Sequence, residues 1–303
     1  TTVRNVGAPG FADVALRDAI NDGDIQGPRM FVSGPSLGVT GGHCDNNLLP
    51  YEFHSVSEGV ADGPWAVREI VRRNIKYGAT VIKFCGTGGV LSKGTKVGVQ
   101  QYTFEEMQAL VDEAHMRGLT VATHAHGTSG IKTAIKAGVD SVEHVSLLDE
   151  VGIELALEHG TYFSMDIYVT EYILSEGEKA GILEESLAKE RIVGKRQREN
   201  FQKAVKAGVK MVFGSDAGVY PHGDNGKQFA RMVRFGMTPM QAIQAATIHP
   251  ATLLKQQETL GSISAGKKAD IVGVKGNPLD DISLLENVGL VVKDGHVVKS
   301  VAM

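Results

Sequence analysis

Apolar runs of five or six residues alternate along the chain with longer stretches whose apolar positions recur every three or four. The runs are Thr2–Val6, Arg29–Ser33, Thr80–Cys85, Thr120–Ala125, Ser141–Val145, Tyr162–Ile167 and Lys210–Ser215, each of strand length. The stretches between them carry helix punctuation. "TFEEMQALVDEAHMRG" opens on a capping box, Thr103 with Glu106, and stops at Gly118. "GTSGIKTAIKAGVD" and "KRQRENFQKAVKAGVK" each end in "AG" before the next strand, and "TPMQAIQAATIHPATLL" has Pro239 in its first turn. Strand and helix in alternation predict a parallel sheet with crossover helices. Seven strands at this spacing nearly fill a (β/α)8 TIM-type barrel. An open doubly wound sheet is the alternative. However, the first strand-to-helix turn lacks the dinucleotide-binding fingerprint, and "GTGGV" after Cys85 lacks the spacing of its third glycine.

The rhythm changes near Glu258. From there short strands and Gly turns, such as Asp294–Gly295, replace helix and predict part of a small β-sandwich domain. The reading is therefore a barrel over 1–257 and a partial β domain over 258–303, too small to own a core. Composition adds exclusions. The 303 residues are 42% hydrophobic and 22% charged with a net charge of −4, and no basic run points to nucleic acid. No apolar run approaches the roughly 18 residues of a membrane span. Two cysteines, Cys44 and Cys85, do not suggest a disulfide framework; Cys85 reads as a packing residue.

In such a barrel the chemistry sits at the C-terminal ends of the strands. Lys83 lies in "TVIKFCG", His124 and His126 in "VATHAHG", His144 closes "SVEH" and Asp216 closes "GSD". Taken singly, each has an ordinary structural explanation: a hydrogen-bonded core histidine, or an aspartate capping the next helix. Lys83 is harder to dismiss, because lysine is rarely buried without a partner. Together they suit a metal site of histidine and carboxylate ligands.

Lys83, "THAHG", "SVEH", "GSDAG", "YPHG" and the tail "GSISAGKKADIVGVKGNPLDDI" resemble the metal-dependent amidohydrolase superfamily, and within it the imidazolonepropionase-like branch. That branch includes Xaa-Pro dipeptidases, carboxypeptidases acting on Xaa-Arg/Lys dipeptides, and enzymes that hydrolyse the amide of ochratoxin. The resemblance implies two divalent metal ions, zinc being usual. Lys83 would be carboxylated and bridge both metals, His124 and His144 would bind the second, and Asp216 would bind metal and shuttle the proton. Metal-bound hydroxide would attack an amide or peptide carbonyl next to a free carboxylate. The expected substrate is a small amide or dipeptide, and a homo-oligomer is expected. A cyclic-amide hydrolase or deaminase is the second reading, and a non-catalytic barrel the third.

One family element is missing. The first barrel strand should carry a His-x-His pair, and "VATHAHG" follows the lysine strand, so it corresponds to the fifth strand. With Thr1 already inside an apolar run, the expectation is that the first strand and the start of the β domain lie outside this sequence. A cytoplasmic location is favoured without a visible leader. On the substrate side we expect His126, Tyr168 and His222 to contact substrate, His126 reaching a terminal carboxylate. His43, in the Gly-rich "TGGHCD", reads as part of a lid.

Overall fold

The computed structural model describes residues 1–301. Its strands are β1 (Thr2–Asn5), β2 (Arg29–Val32), β3 (Val81–Cys85), β4 (Thr120–Ala125), β5 (Ser141–His144), β6 (Tyr162–Ser164), β7 (Met211–Val212), β8 (Ile271–Gly273), β9 (Leu290–Lys293) and β10 (His296–Ser300). Its helices are α1 (Ala12–Asp22), α2 (Pro64–Lys76), α3 (Phe104–Met116), α4 (Thr128–Ala137), α5 (Glu150–His159), α6 (Ile167–Glu176), α7 (Glu184–Ala207), α8 (Lys227–Arg234), α9 (Pro239–Ala245) and α10 (Ile248–Leu253).

β1 pairs parallel with β2, and β3 to β7 pair parallel in chain order. The chain beyond β2 joins the two sheets. The Thr80 N–H donates to the Val32 carbonyl and the Leu37 N–H to the Lys83 carbonyl, both at 2.8 Å. Every residue of β3 and β4 is buried, as expected of parallel strands covered on both faces. The sheet curls until distant strands face one another. From β1, Arg4 reaches β5, donating to Ser141 Oγ at 2.8 Å and Glu143 Oε1 at 2.7 Å. This is the α/β barrel wall that the strand–helix alternation predicts. β8, β9 and β10 form a separate antiparallel sheet. Arg29 of β2 ties it to the barrel through Asp270 and Asp294, each at 2.7 Å. This sheet lies within the expected 258–303 unit, whose last two residues are outside the described residues. No helix among the described residues is long and apolar enough to cross a membrane.

Three expectations need correction. The strand expected over Tyr162–Ile167 stops at Ser164, because the chain bends at Asp166 into α6. The helix expected around 195–210 begins at Glu184 and runs 24 residues. Cys85 is not a free packing thiol: it is bonded to Cys44 with a Cα–Cα distance of 6.0 Å, a normal disulfide span. The partner sits in the loop after β2, 41 residues away, and comes close only because that loop folds over the end of β3.

Candidate metal centre

The ends of β3, β4 and β5 and the loop after β7 converge on a cavity of about 190 Å³. Lys83, His124, His126, His144 and Asp216 all line it, together with His43. The imidazole rings form a tight group. His124 lies 4.7 Å from His126 and 4.6 Å from His144, centroid to centroid, and His43 stacks on His124 at 4.0 Å. His43 directly precedes Cys44, the loop partner of the disulfide to β3. Gly89 leaves it room, since a Cβ on Gly89 would stand 2.3 Å from the His43 ring.

Ligand-type atoms of His124, His126 and His144 lie within 4.8 Å of one another, as do those of His144, Asp166 and Asp216. His124 Nε2 is buried without a hydrogen-bond partner. Buried polar atoms are rarely left so, which makes this nitrogen a vacant donor atom for a cation. His144 Nδ1 lies 3.0 and 2.9 Å from the two Asp166 oxygens. A carboxylate only accepts, so Nδ1 carries a proton, and Nε2 is the nitrogen left to bind a metal once its own proton is displaced, the usual carboxylate–histidine arrangement. His126 Nδ1 is held by Ser146 Oγ at 2.8 Å. These residues fit a divalent metal, and imidazole with carboxylate suits zinc.

Helix α7 supports the cluster from outside. Gln197 Nε2 donates to Asp166 Oδ1 at 3.0 Å and to the His144 carbonyl at 3.1 Å, and Thr170 Oγ1 donates to Gln197 Oε1 at 3.1 Å. Three residues on, Asn200 donates to the Ser146 carbonyl at 2.9 Å. The backbone they hold is strained. His144 and Val145 have φ of 71° and 53°, and Asp216 has 52°. Left-handed conformations cost a non-glycine residue about 1–3 kcal/mol, and for the β-branched Val145 this is a genuine outlier. Three such residues gather at one cavity, where strain is repaid by placing side chains.

The electrostatics follow from burial and from the aspartates. Burial pushes the His124 and His126 imidazoles well below their ordinary range, with neighbouring histidines adding to it. His43 is lowered to about 3 by burial and by Lys83. Burial opposes protonation of His144 too, yet Asp166 outweighs it and raises this group to about 9. Lys83 is only 7% exposed, and burial lowers its amine against the pull of Glu143 and Asp216. Asp216 stands at the rim, where crowding by the protein and then Asp166 push its carboxyl up; its solvent exposure tempers the shift.

Tyr168 and His222 are not brought to the cavity. Tyr168 is buried in α6 with its ring 5.0 Å from Tyr220, and Arg231 stacks over it at 5.0 Å. His222 is exposed in the loop after β7. Conversely, the sequence reading passed over Asp166, Glu190 and Gln197. Asp166 follows a strand in "SMDIY", where it reads as a helix cap.

Residues 1–298 match the amidohydrolase family. The chain belongs to that family. Relatives of this amidohydrolase include the ochratoxinase of Aspergillus niger, 37% identical over 286 residues, which span 88% of this chain and 59% of that protein. The chain thus spans about three fifths of that curated relative's length. Among solved structures, a Xaa-Pro dipeptidase with bound methionine in its active site is 44% identical with a TM-score of 0.94, over 99% of this chain and 75% of the other. A prolidase complexed with N-methylphosphonate-L-proline is 33% identical with a TM-score of 0.90, over 99% and 76%.

Proposed function

We infer that this amidohydrolase cleaves an amide or peptide C–N bond next to a free carboxylate, as a dipeptidase or carboxypeptidase does. The observation that carries the reading is the unpartnered His124 Nε2 beside a His144 whose other nitrogen is held by Asp166, in one cavity with Lys83 and Asp216. The similarity to a Xaa-Pro dipeptidase and to an ochratoxinase supports it.

Divalent metals, zinc in this reading, would supply a water of lowered pKa and polarise the carbonyl. The chain's own residues would do the rest. His124, His144 and Asp216 would hold the metals. Lys83 is inclined by its burial toward the neutral amine, the form that can take up carbon dioxide and become a carbamate, an anionic oxygen ligand. Asp216, with its raised pKa, would take the proton from the attacking water and return it to the leaving amine. His126, fixed by Ser146, faces the substrate carboxylate. Assembly into a homo-oligomer and a cytoplasmic location belong to the same reading, and light scattering and cell fractionation test them.

The deciding experiment is a panel on the full-length protein with elemental analysis. We expect bound zinc, turnover of dipeptides or N-acyl amino acids ahead of hydantoin and imidazolone rings, and loss of both metal and turnover in Lys83→Ala. A protein that purifies without zinc and keeps its activity in Lys83→Ala would sink the reading. Preference for the rings would favour a cyclic-amide hydrolase instead.

A further inference from the structure

Glu190 lines the same cavity from α7, 4% exposed, and its Oε1 is buried without any hydrogen-bond partner. The metal reading has no use for it. Thr170 is its side-chain hydrogen-bonding neighbour; Asp166 and His144 act on it with opposite signs, and Arg198 stands last among the charges. Arg198 lies instead over the ring of Phe235, 5.8 Å from its centroid. The cavity wall near α6 is apolar, with Val169 and Ile173, and Val90 and Leu91 face in from the loop after β3.

The helix makes space for this carboxyl. A Cβ on Gly194, one turn further along α7, would stand 2.7 Å from Glu190 Oε1 and 2.4 Å from Thr170 Cγ2. Glycine inside a helix is destabilising relative to alanine. An unpartnered buried acceptor adds a further cost. A glutamate serving only as packing would explain neither. Burial raises its carboxyl to about 7, so near neutrality it is readily ionised by a cation that pairs with it.

We propose that Glu190 recognises a cationic nitrogen of the substrate, and that it selects substrates carrying an ammonium or guanidinium group over neutral ones of the same shape. The proposal rests on the hydrolase reading and names the chemistry its substrate should carry. A neutral ligand against the apolar side of the cavity would leave Glu190 Oε1 unpaired, whereas a cation completes it. Two sources share the chemistry: the free α-ammonium of a dipeptide, or a basic side chain.

The test uses the full-length, metal-loaded enzyme and two matched pairs: glycyl-norleucine against its N-acetyl derivative, and glycyl-lysine against glycyl-norleucine. In the native enzyme the cationic member of one pair should win in kcat/KM. Glu190→Gln should cut that preference about tenfold or more, as expected for a hydrogen bond to a charged group. Glu190→Asp should retain part of it. Collapse of the first pair's ratio assigns the α-ammonium, and collapse of the second assigns the side chain. A preference unchanged in Glu190→Gln, or absent from the native enzyme, overturns the proposal. If no member is hydrolysed, the hydrolase reading fails separately. Calorimetric binding of L-lysine, L-norleucine and N-acetyl-norleucine to native and Glu190→Gln protein then still decides Glu190. Equal loss of all ligands, or a variant that melts far below native with Glu190→Asp equally impaired, marks a structural role and overturns the proposal.

Discussion

Glu113 of α3 and Glu190 of α7 are both buried, at 1% and 4% exposure, on helices that cover the same barrel. Glu113 is surrounded by arginines. Arg72 grips it with two nitrogens at 2.8 and 2.9 Å, and Arg68 and Arg117 stand at 3.5 Å. The hydrogen bonds from Arg72 hold its carboxyl below the ordinary range. Glu190 has one oxygen unpartnered and a carboxyl raised by burial to about 7. The rest of each helix follows suit. Besides Glu113, α3 buries only the apolar Met107, Ala109, Leu110, Val111 and Ala114, whereas α7 buries Ser186, Gln197 and Asn200 among Leu187, Val193, Phe201 and Ala204. The same residue type in the same architectural place is a structural clamp on one helix and an unsatisfied group on the other. The neighbours decide which, and they divide the barrel wall into a part that stabilises and a part that holds the site.

The largest expected effect is on the stabilising side. Leu110→Ala, at a fully buried position of α3, should cost about 2–5 kcal/mol in urea unfolding and leave the affinity of the proposed metal site unchanged. A matching loss of metal affinity would erase the division between the helices. Next comes Gln197→Leu, which removes the hydrogen bonds to Asp166 and to the strained His144 carbonyl. Residues that orient metal ligands are worth about 10–100-fold in affinity or activity. We expect a loss of that size in a metal-competition titration. Unchanged affinity would mean that α7 only packs.

The sequence made the barrel legible and the support of its site much less so. Buried parallel strands read as apolar runs, and all seven runs became β1 to β7 at their expected places in the chain. Lys83, His124, His126, His144 and Asp216 stand out in the sequence because polar residues are conspicuous within and at the ends of apolar strands, and the fold brings them to one cavity. Glu190, Gln197 and Asn200 sit in a stretch crowded with Lys, Arg and Glu, where polar residues read as a solvated face. Only their helical spacing together with Gly194 and Phe201 hints at a buried stripe. Asp166 acts on a histidine 22 positions earlier. Cys44 meets Cys85 across 41 residues. Neither separation leaves a local pattern to read.

A third test reads the two glutamates through pH. A raised pKa means that the folded state binds the Glu190 proton more tightly than the unfolded chain does. Its contribution to stability is therefore present below the ordinary glutamate value and is lost as pH rises toward about 7. For Glu113, lowered by Arg72, the sign reverses: its contribution is present above the ordinary value and is lost as pH falls. In metal-free protein, Glu190→Gln should thus gain thermal stability over native when melts at pH 8 are compared with melts at pH 5. An identical pH profile for variant and native protein would show that Glu190 is not the strained group described.

The smallest effects concern how each helix starts. α3 begins with a full capping box: Thr103 Oγ1 accepts from the Glu106 N–H at 3.3 Å, and Glu106 Oε2 accepts from the Thr103 N–H at 2.8 Å. α7 begins at Leu183, which is 49% exposed, has an extended backbone and no oxygen to offer the first turn. If α3 is held by its own local signals, Thr103→Ala should cost about 1 kcal/mol. If α7 is held by its contacts with α6 and the site, its uncapped start is spare stability, and Leu183→Asp should add about 0.5–1 kcal/mol. Melting curves read both. Zinc affinity gives the sharper reading, because a cap at Leu183 lies more than three turns from Gln197. A gain in melting temperature with constant affinity would show that the stripe facing the cavity fixes the register of α7. A change in affinity would show that the start of the helix still moves its far end, and the two roles of the barrel wall would then not be separable along α7.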